Sequence, residues 1–234
     1  MHSPQTKLKP PAAVALVKFI QQRRQFMVAL LSFMLAAPAW AQRAAQSTPP
    51  LSAADQALIT QIEAYLNSQS AITANFLQVA DDGSTRTGKA WMERPGRMRF
   101  EYGPPDAQLL IAGAGALVYH DPALNQTSNI PLSSTPLGIL LAQHVDLHSA
   151  GVAVTKIDRE PGEYDITLVR PGKEALGSLT LVFGTDPLEL RQWVVTDAQG
   201  RQTRVSLYDV APSAPFPESL FQYSLSPQHT RRGG

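Results

Sequence analysis

The residues with the clearest potential for chemistry are two histidines in the second half of the chain. His144 and His148 are four positions apart, a spacing that places both on one face of a helix and could hold a metal ion. Asp146 would point elsewhere on such a helix, and no glutamate follows His144 as it does in the zinc-protease motif. We therefore interpret the two histidines as exposed side chains and expect neither a metal nor a cofactor.

Nucleophilic and acid–base chemistry also lacks a recognisable arrangement of residues. The chain has no cysteine, which excludes a cysteine nucleophile and a thiolate metal site, and it has no Gly-x-Ser-x-Gly motif. Gly113 and Gly115 lack the third glycine of a dinucleotide-binding loop and fall in a predicted hairpin turn. Because the acidic residues are scattered, we predict that the protein is not an enzyme and has no catalytic residues.

An apolar strand face offers a wall for a binding cavity instead. Residues 97–102 alternate between charged and apolar side chains, which is typical of a strand with one buried and one wet face. The strand before it ends at Pro95-Gly96, a break that leaves its phase open. The predicted wall consists of Met98, Phe100, Tyr102 and, depending on that phase, Trp91 or Met92.

Arg94 breaks this apolar pattern. If the two strands keep phase, its guanidinium lies on the apolar face, where it must find hydrogen-bond acceptors. Two interpretations remain open at this point. Arg94 lies at the rim in solvent, or it donates to the unpaired carbonyls at the end of a covering helix.

Two helices and many short strands are predicted to position these residues. Ser52 and Asp55 have the spacing of a helix-capping box, and apolar residues follow them at helical spacing. Thr135-Pro136 opens a second, short apolar helix from Leu137 to roughly Val145. Alternating segments between turn signals predict the strands, the last of them over Phe221–Leu225.

No segment alternates strands with helices, so a parallel sheet is not expected. We predict a mainly β, α+β fold: a curved, incomplete antiparallel β-barrel of about ten to eleven strands, because one sheet of that size must curl or split. The N-terminal helix and the short middle helix are expected to cover its concave apolar side.

The N-terminus has the pattern of a secretory signal peptide. Lysines and arginines precede an uncharged apolar run over residues 26–37, and Ala39-Trp40-Ala41 supplies a small-residue cleavage site. A membrane anchor is the alternative, but the run is shorter than the roughly 20 apolar residues that a span needs. Arg23-Arg24 leaves open whether export uses the general or the twin-arginine route.

The chain is accordingly divided into four parts. We expect a cleaved signal peptide over residues 1–41, a flexible linker over 42–51, one domain over 52–227 and a disordered tail over 228–234. All 19 acidic residues but only 15 of the 20 Lys and Arg follow residue 41, so the net charge changes from +1 to −4 on cleavage. A mildly acidic body without a basic run argues against nucleic-acid binding.

The ordered motifs along the domain resemble the LolA family, periplasmic carriers of lipoproteins to the outer membrane. The resemblance starts with a helix followed by Phe76-x-Gln78 and runs through most of the chain. Its further pieces are Gly88-x-Ala-Trp91-Met-Glu-Arg94-Pro95-Gly96, Arg97 to Tyr102, Pro105, Gln108-Leu-Leu-Ile, Leu117-Val-Tyr119-His-Asp121-Pro122, Pro136-Leu137-x-x-Leu140-Leu141, Leu188 to Val195 and Asp197-x-x-Gly200-x-x-Thr203. One departure is Ala112-Gly113, where the family usually has Asp-Gly.

The resemblance implies a half-barrel whose helices form a lid over an apolar cavity for lipoprotein acyl chains. It implies that Arg94 latches this lid and that Met98 is a wall position that accepts and passes on the cargo. The implied partners are an inner-membrane ABC lipoprotein-releasing complex and an outer-membrane acceptor, and the expected state is a monomer in the periplasm. An envelope lipid-binding sensor of the same fold is the alternative function. The expected cavity residues are Phe76, Trp91, Met92, Met98, Phe100, Tyr102, Leu137, Leu140 and Leu141.

Overall fold

The computed structural model describes residues 51–105 and 107–223. The expected signal peptide, the expected linker except Leu51, and the expected tail lie outside these residues. None of the described helices is long and apolar enough to cross a membrane. The elements are helix α1 (Ala53–Ser68), helix α2 (Leu137–Leu140), and strands β1 (Ala71–Ala80), β2 (Thr85–Glu93), β3 (Arg97–Tyr102), β4 (Leu109–Gly113), β5 (Ala116–Asp121), β6 (Gln126–Pro131), β7 (Ala153–Glu160), β8 (Glu163–Val169), β9 (Ser178–Thr185), β10 (Leu188–Thr196) and β11 (Gln202–Pro212).

The strands form one antiparallel sheet in the order β6-β5-β4-β3-β2-β1-β11-β10-β9-β8-β7. Two meanders therefore meet where β1 pairs with β11, and β6 and β7 are the edges of the described sheet. The 11-stranded open sheet with two helices confirms the predicted fold class.

The sheet curls strongly. Phe100 on β3 and Trp193 on β10 are four strands apart, which would separate them by about 19 Å on a flat sheet. Their ring centroids are 6.0 Å apart. The inner faces of the two meanders therefore contact each other and form one core.

Helix α1 covers this concave side. The side chain of Ser52 accepts from the Asp55 backbone N–H, and the Asp55 carboxylate accepts from the Ser52 N–H, so the predicted capping box is present. Leu58, Ile59, Ile62 and Leu66 are its buried stripe and belong to the same apolar cluster as the sheet's inner residues.

Helix α2 is shorter than predicted. It spans only Leu137–Leu140, so the expectation that it runs to Val145 was wrong. The carbonyls that would continue it have other partners: Leu140 O accepts from the Arg94 side chain and Leu141 O accepts from the Gly96 N–H. His144 and His148 therefore lie beyond the helix, and no group of three potential ligands able to hold a metal occurs within the described ranges.

The predicted last strand is also wrong over its described residues, 221–223. Residues 213–223 instead cross the outer face of the first meander, with a 3-10 turn over Glu218–Phe221. Two prolines in this segment, at positions 215 and 217, lack the N–H groups that a strand needs. The Phe216 N–H donates to Glu93, and Arg99 donates to Leu220 O, so the segment is held by side chains of β2 and β3.

Candidate functional site: an apolar cavity and its lid

A cavity lies between the two meanders on the concave side. Its free volume is about 60 Å³, and its walls are almost entirely apolar. Met98, Phe100 and Tyr102 of β3 form one wall, since alternate residues of a strand share a face. Trp193 of β10 stands opposite, and Leu137 of α2 covers the space.

Several other expected cavity residues surround this space. The Phe76 ring packs at 4.6 Å from the Phe100 ring and 5.1 Å from the Tyr102 ring, so it supports the wall from β1. Met92, Leu140 and Leu141 line a neighbouring pocket beside Arg94.

Trp91 does not belong to the cavity, which corrects the expectation for that residue. The register of β2 and β3 pairs Met92 with Met98 and Trp91 with Arg99. The alternation of inner and outer faces therefore continues across Pro95-Gly96. Met92 is buried on the inner face, whereas Trp91 is half-buried on the outer face among Thr73, Asn75 and Lys89.

Arg94 connects the sheet to both helices. Its Nε donates to Leu140 O at 3.0 Å, and its Nη1 donates to Gln69 O at 2.9 Å and also to Leu66 O. These are carbonyls at the C-terminal ends of α2 and α1, where helical carbonyls lack their usual partners. Leu66 O also accepts from the Gln69 N–H. The interpretation of Arg94 as a solvated rim residue is therefore wrong. Burial lowers the pKa of the Arg94 guanidinium, but arginine remains charged in proteins.

Helix α1 is also hydrogen-bonded to the segment that follows α2, through Asn67, a residue that the sequence analysis did not single out. Asn67 Nδ2 donates to Val145 O at 2.9 Å, and the Val145 N–H donates to Asn67 Oδ1 at 2.9 Å. Glu63, one turn earlier on α1, accepts from the Leu147 N–H. Helix α1 and residues 141–147 thus form one covering unit. We use the term lid for this unit and α2 together. A polar residue in the last turn of an apolar helix was the only sequence signal for Asn67.

A family model matches this architecture over most of the domain. Residues 67–224 match the model described as "Outer membrane lipoprotein carrier protein LolA". The matched range contains the whole sheet, Arg94 and α2.

Individual proteins are similar over comparable lengths. An outer-membrane lipoprotein carrier protein of Pseudomonas aeruginosa is 29% identical over 188 residues, which is 74% of this chain and 86% of the relative. The protein of the same name from Methylococcus capsulatus is 27% identical over 174 residues, which is 70% of this chain and 82% of the relative. Among solved structures, a LolA superfamily protein from Nitrosomonas europaea is 10% identical, with a TM-score of 0.43 over 72% of this chain and 97% of that chain.

Proposed function

The chain belongs to the LolA family of outer-membrane lipoprotein carrier proteins, and from that membership we propose that it carries lipoproteins by their acyl chains from the inner to the outer membrane. The observation that supports this most is an apolar cavity beside two covering helices whose C-terminal carbonyls both accept from Arg94. The proposed activity is binding and release, with no covalent step.

The physical requirement of a carrier is that it binds an acyl chain and then gives it up. Burying a chain is favourable by about 0.8 kcal/mol per CH₂ group, so a long chain in an open apolar cavity would be released slowly. The empty cavity is narrowed by contacts between its own walls, such as that of Phe100 with Trp193. A chain that enters must separate these contacts and lift the lid. The lid and the chain therefore compete for one apolar surface, which weakens binding enough for transfer.

Partner proteins must supply the energy for loading the lipoprotein and determine the direction of its transfer. The sequence has no Gly-x-x-x-x-Gly-Lys-Ser/Thr motif for ATP. We propose that an inner-membrane ABC complex loads the cargo and that an outer-membrane acceptor receives it, with the protein acting as a monomer in the periplasm between them.

A two-stage transfer assay tests this function. The protein is incubated with inner-membrane vesicles that contain an acylated lipoprotein, the releasing complex and ATP, and is then mixed with outer-membrane vesicles. We expect soluble lipoprotein–carrier complex in the first stage and lipoprotein in the outer-membrane fraction in the second. A lipid-binding sensor would bind acyl probes but produce no soluble lipoprotein, and that result would replace the carrier with the alternative function.

A further inference from the structure

The wall of the apolar cavity contains one buried polar pair. Gln78 of β1 and Tyr102 of β3 both line the cavity and are 5% and 6% exposed. Tyr102 Oη donates to Gln78 Oε1 at 2.8 Å. Burial raises the pKa of the Tyr102 phenol, so this group stays protonated and able to donate.

The amide of Gln78 has donors that the protein does not use. Its oxygen is occupied by Tyr102, and its Nε2 group carries two N–H donors. Within residues 51–105 and 107–223, no acceptor is bonded to Nε2. Because Gln78 lines the cavity and is 5% exposed, an acceptor on a bound ligand can reach Nε2 without displacing a protein partner.

Gln78 lies far from Arg94 along strand β1. Gln78 pairs with Arg86, whereas Ile72 pairs with Met92, next to Arg94. Six residues of strand span about 20 Å. A ligand group bound by Gln78 therefore lies at the opposite end of the cavity from Arg94.

We propose that Gln78 Nε2 donates a hydrogen bond to the carbonyl oxygen of an ester- or amide-linked acyl chain, and that Tyr102 orients the amide for this. The inference rests on the proposed function, because it assumes that acyl chains occupy the cavity. It adds which chemical group of the ligand is recognised. It also adds the orientation of the acyl chain in the cavity, with the hydrocarbon end toward Met98 and Leu137. A neutral carbonyl fits this wall because a buried charge without a paired counter-charge would cost far more.

Two ligands that differ in one oxygen test the hydrogen bond. Methyl laurate and dodecyl methyl ether have the same chain length, but only the first has a carbonyl group. Each is titrated against 1-anilinonaphthalene-8-sulfonate bound to the full mature protein, and the ratio of the two dissociation constants is measured. We expect methyl laurate to bind about 2- to 10-fold more tightly than the ether, as one neutral hydrogen bond provides.

The variant Gln78→Met keeps the length of the side chain and removes the amide, so the ratio should fall to about 1, since the expected preference comes from one hydrogen bond. Gln192→Met is the matched control. Gln192 lies outside the cavity lining and accepts from Ser206 on β11, so its replacement should leave the ratio at the wild-type value. Tyr102→Phe should lower the ratio without abolishing binding of the ether.

A wild-type ratio of 1, or an unchanged ratio in Gln78→Met, would overturn the inference while leaving acyl binding intact. Laurate that binds more than about tenfold tighter than methyl laurate would also overturn it, because a carboxylate rather than a neutral carbonyl would then be recognised. If the wild-type protein binds neither the ester nor the ether, the proposed function itself fails. A wild-type ratio near 1 overturns the inference even if a variant does not fold.

Discussion

Arg94 is the residue on which release of cargo depends in this account. It donates to carbonyls of both helices, so its loss removes three hydrogen bonds from the lid. Charge-assisted hydrogen bonds contribute about 1.5–3 kcal/mol each. We predict that Arg94→Leu binds acyl ligands more tightly than the wild type, because less free energy is spent on opening, and that it releases them poorly. Arg94→Lys keeps the charge but not the planar fork, so it should retain part of the transfer activity.

The measurement pairs acyl-probe binding with transfer to outer-membrane vesicles. Arg99→Leu is the control, since Arg99 also donates to a backbone carbonyl, that of Leu220, but on the outer face. It should transfer like the wild type. Unchanged transfer in Arg94→Leu would contradict the latch.

At the residue scale, the sequence indicates which residues of β3 share the inner face, but not which residue of β2 lies beside them. The alternation of Met98, Phe100 and Tyr102 is local and therefore visible in the chain. Whether Trp91 or Met92 joins them depends on the phase across Pro95-Gly96, which only the pairing of Met92 with Met98 decides. The contacts of Arg94 were likewise undetermined, because its acceptors lie 25 to 46 positions away.

At the scale of elements, the lid depends on the reciprocal amide contact between Asn67 and Val145. We predict that Asn67→Ala uncouples α1 from residues 141–147 and speeds exchange of their backbone amides, because a buried backbone N–H and C=O lose their partners. Hydrogen exchange measured by mass spectrometry checks this. Asn75→Ala removes an exposed bond to Asp209 on the outer face and should leave exchange in the lid unchanged. Equal exchange in both variants would mean that α1 and residues 141–147 are not coupled in this way.

Strand β2 can approach Phe76 only because residue 88 is glycine. A Cβ at Gly88 would lie 2.0 Å from the Glu101 carbonyl oxygen and 2.7 Å from the Phe76 ring. We predict that Gly88→Ala lowers the free energy of unfolding by about 1–3 kcal/mol, as overpacking typically does. Urea unfolding measures it.

Gly103→Ala is the control for this prediction, because its Cβ would meet only the Thr87 carbonyl at 3.6 Å, an ordinary contact. A Gly88→Ala variant as stable as Gly103→Ala would show that β2 and β3 can move apart at little cost.

Elements that depend on local pattern were predicted well, and elements that depend on distant partners were not. The capping box of α1 is local, and the structure contains it. Helix α2 ends early because Arg94 and Gly96 take its carbonyls, which no local pattern reveals. The expected strand at Phe221 fails for a similar reason: Phe221 is buried against the outer face, where its ring lies 6.0 Å from that of Phe216.

At the scale of the whole molecule, the curl of the sheet was expected from the number of strands and from the family resemblance. Which inner residues meet across the cavity follows from the degree of curl, and the contact of Phe100 with Trp193 could not be read from the chain. The contact brings opposite walls of the cavity together, so a long acyl chain must separate them in order to enter.

Export remains a prediction of the sequence. The apolar run over 26–37 and the Ala39-Trp40-Ala41 site predict that the mature chain begins at Gln42. N-terminal sequencing of protein from the periplasmic fraction checks this. A membrane-bound chain that retains residues 26–37 would indicate an anchor instead, and would rule out a carrier that crosses the periplasm.

The central claim is that the cargo of this protein is an acylated polypeptide held in the apolar cavity. It is tested most directly by native mass spectrometry of the Arg94→Leu variant purified without detergent from the periplasm, because this variant should load cargo and not release it. We predict a complex whose added mass belongs to a lipoprotein and which detergent dissociates into free carrier and acylated polypeptide. A variant that is folded but carries no adduct, or carries a polypeptide without acyl chains, would contradict the account.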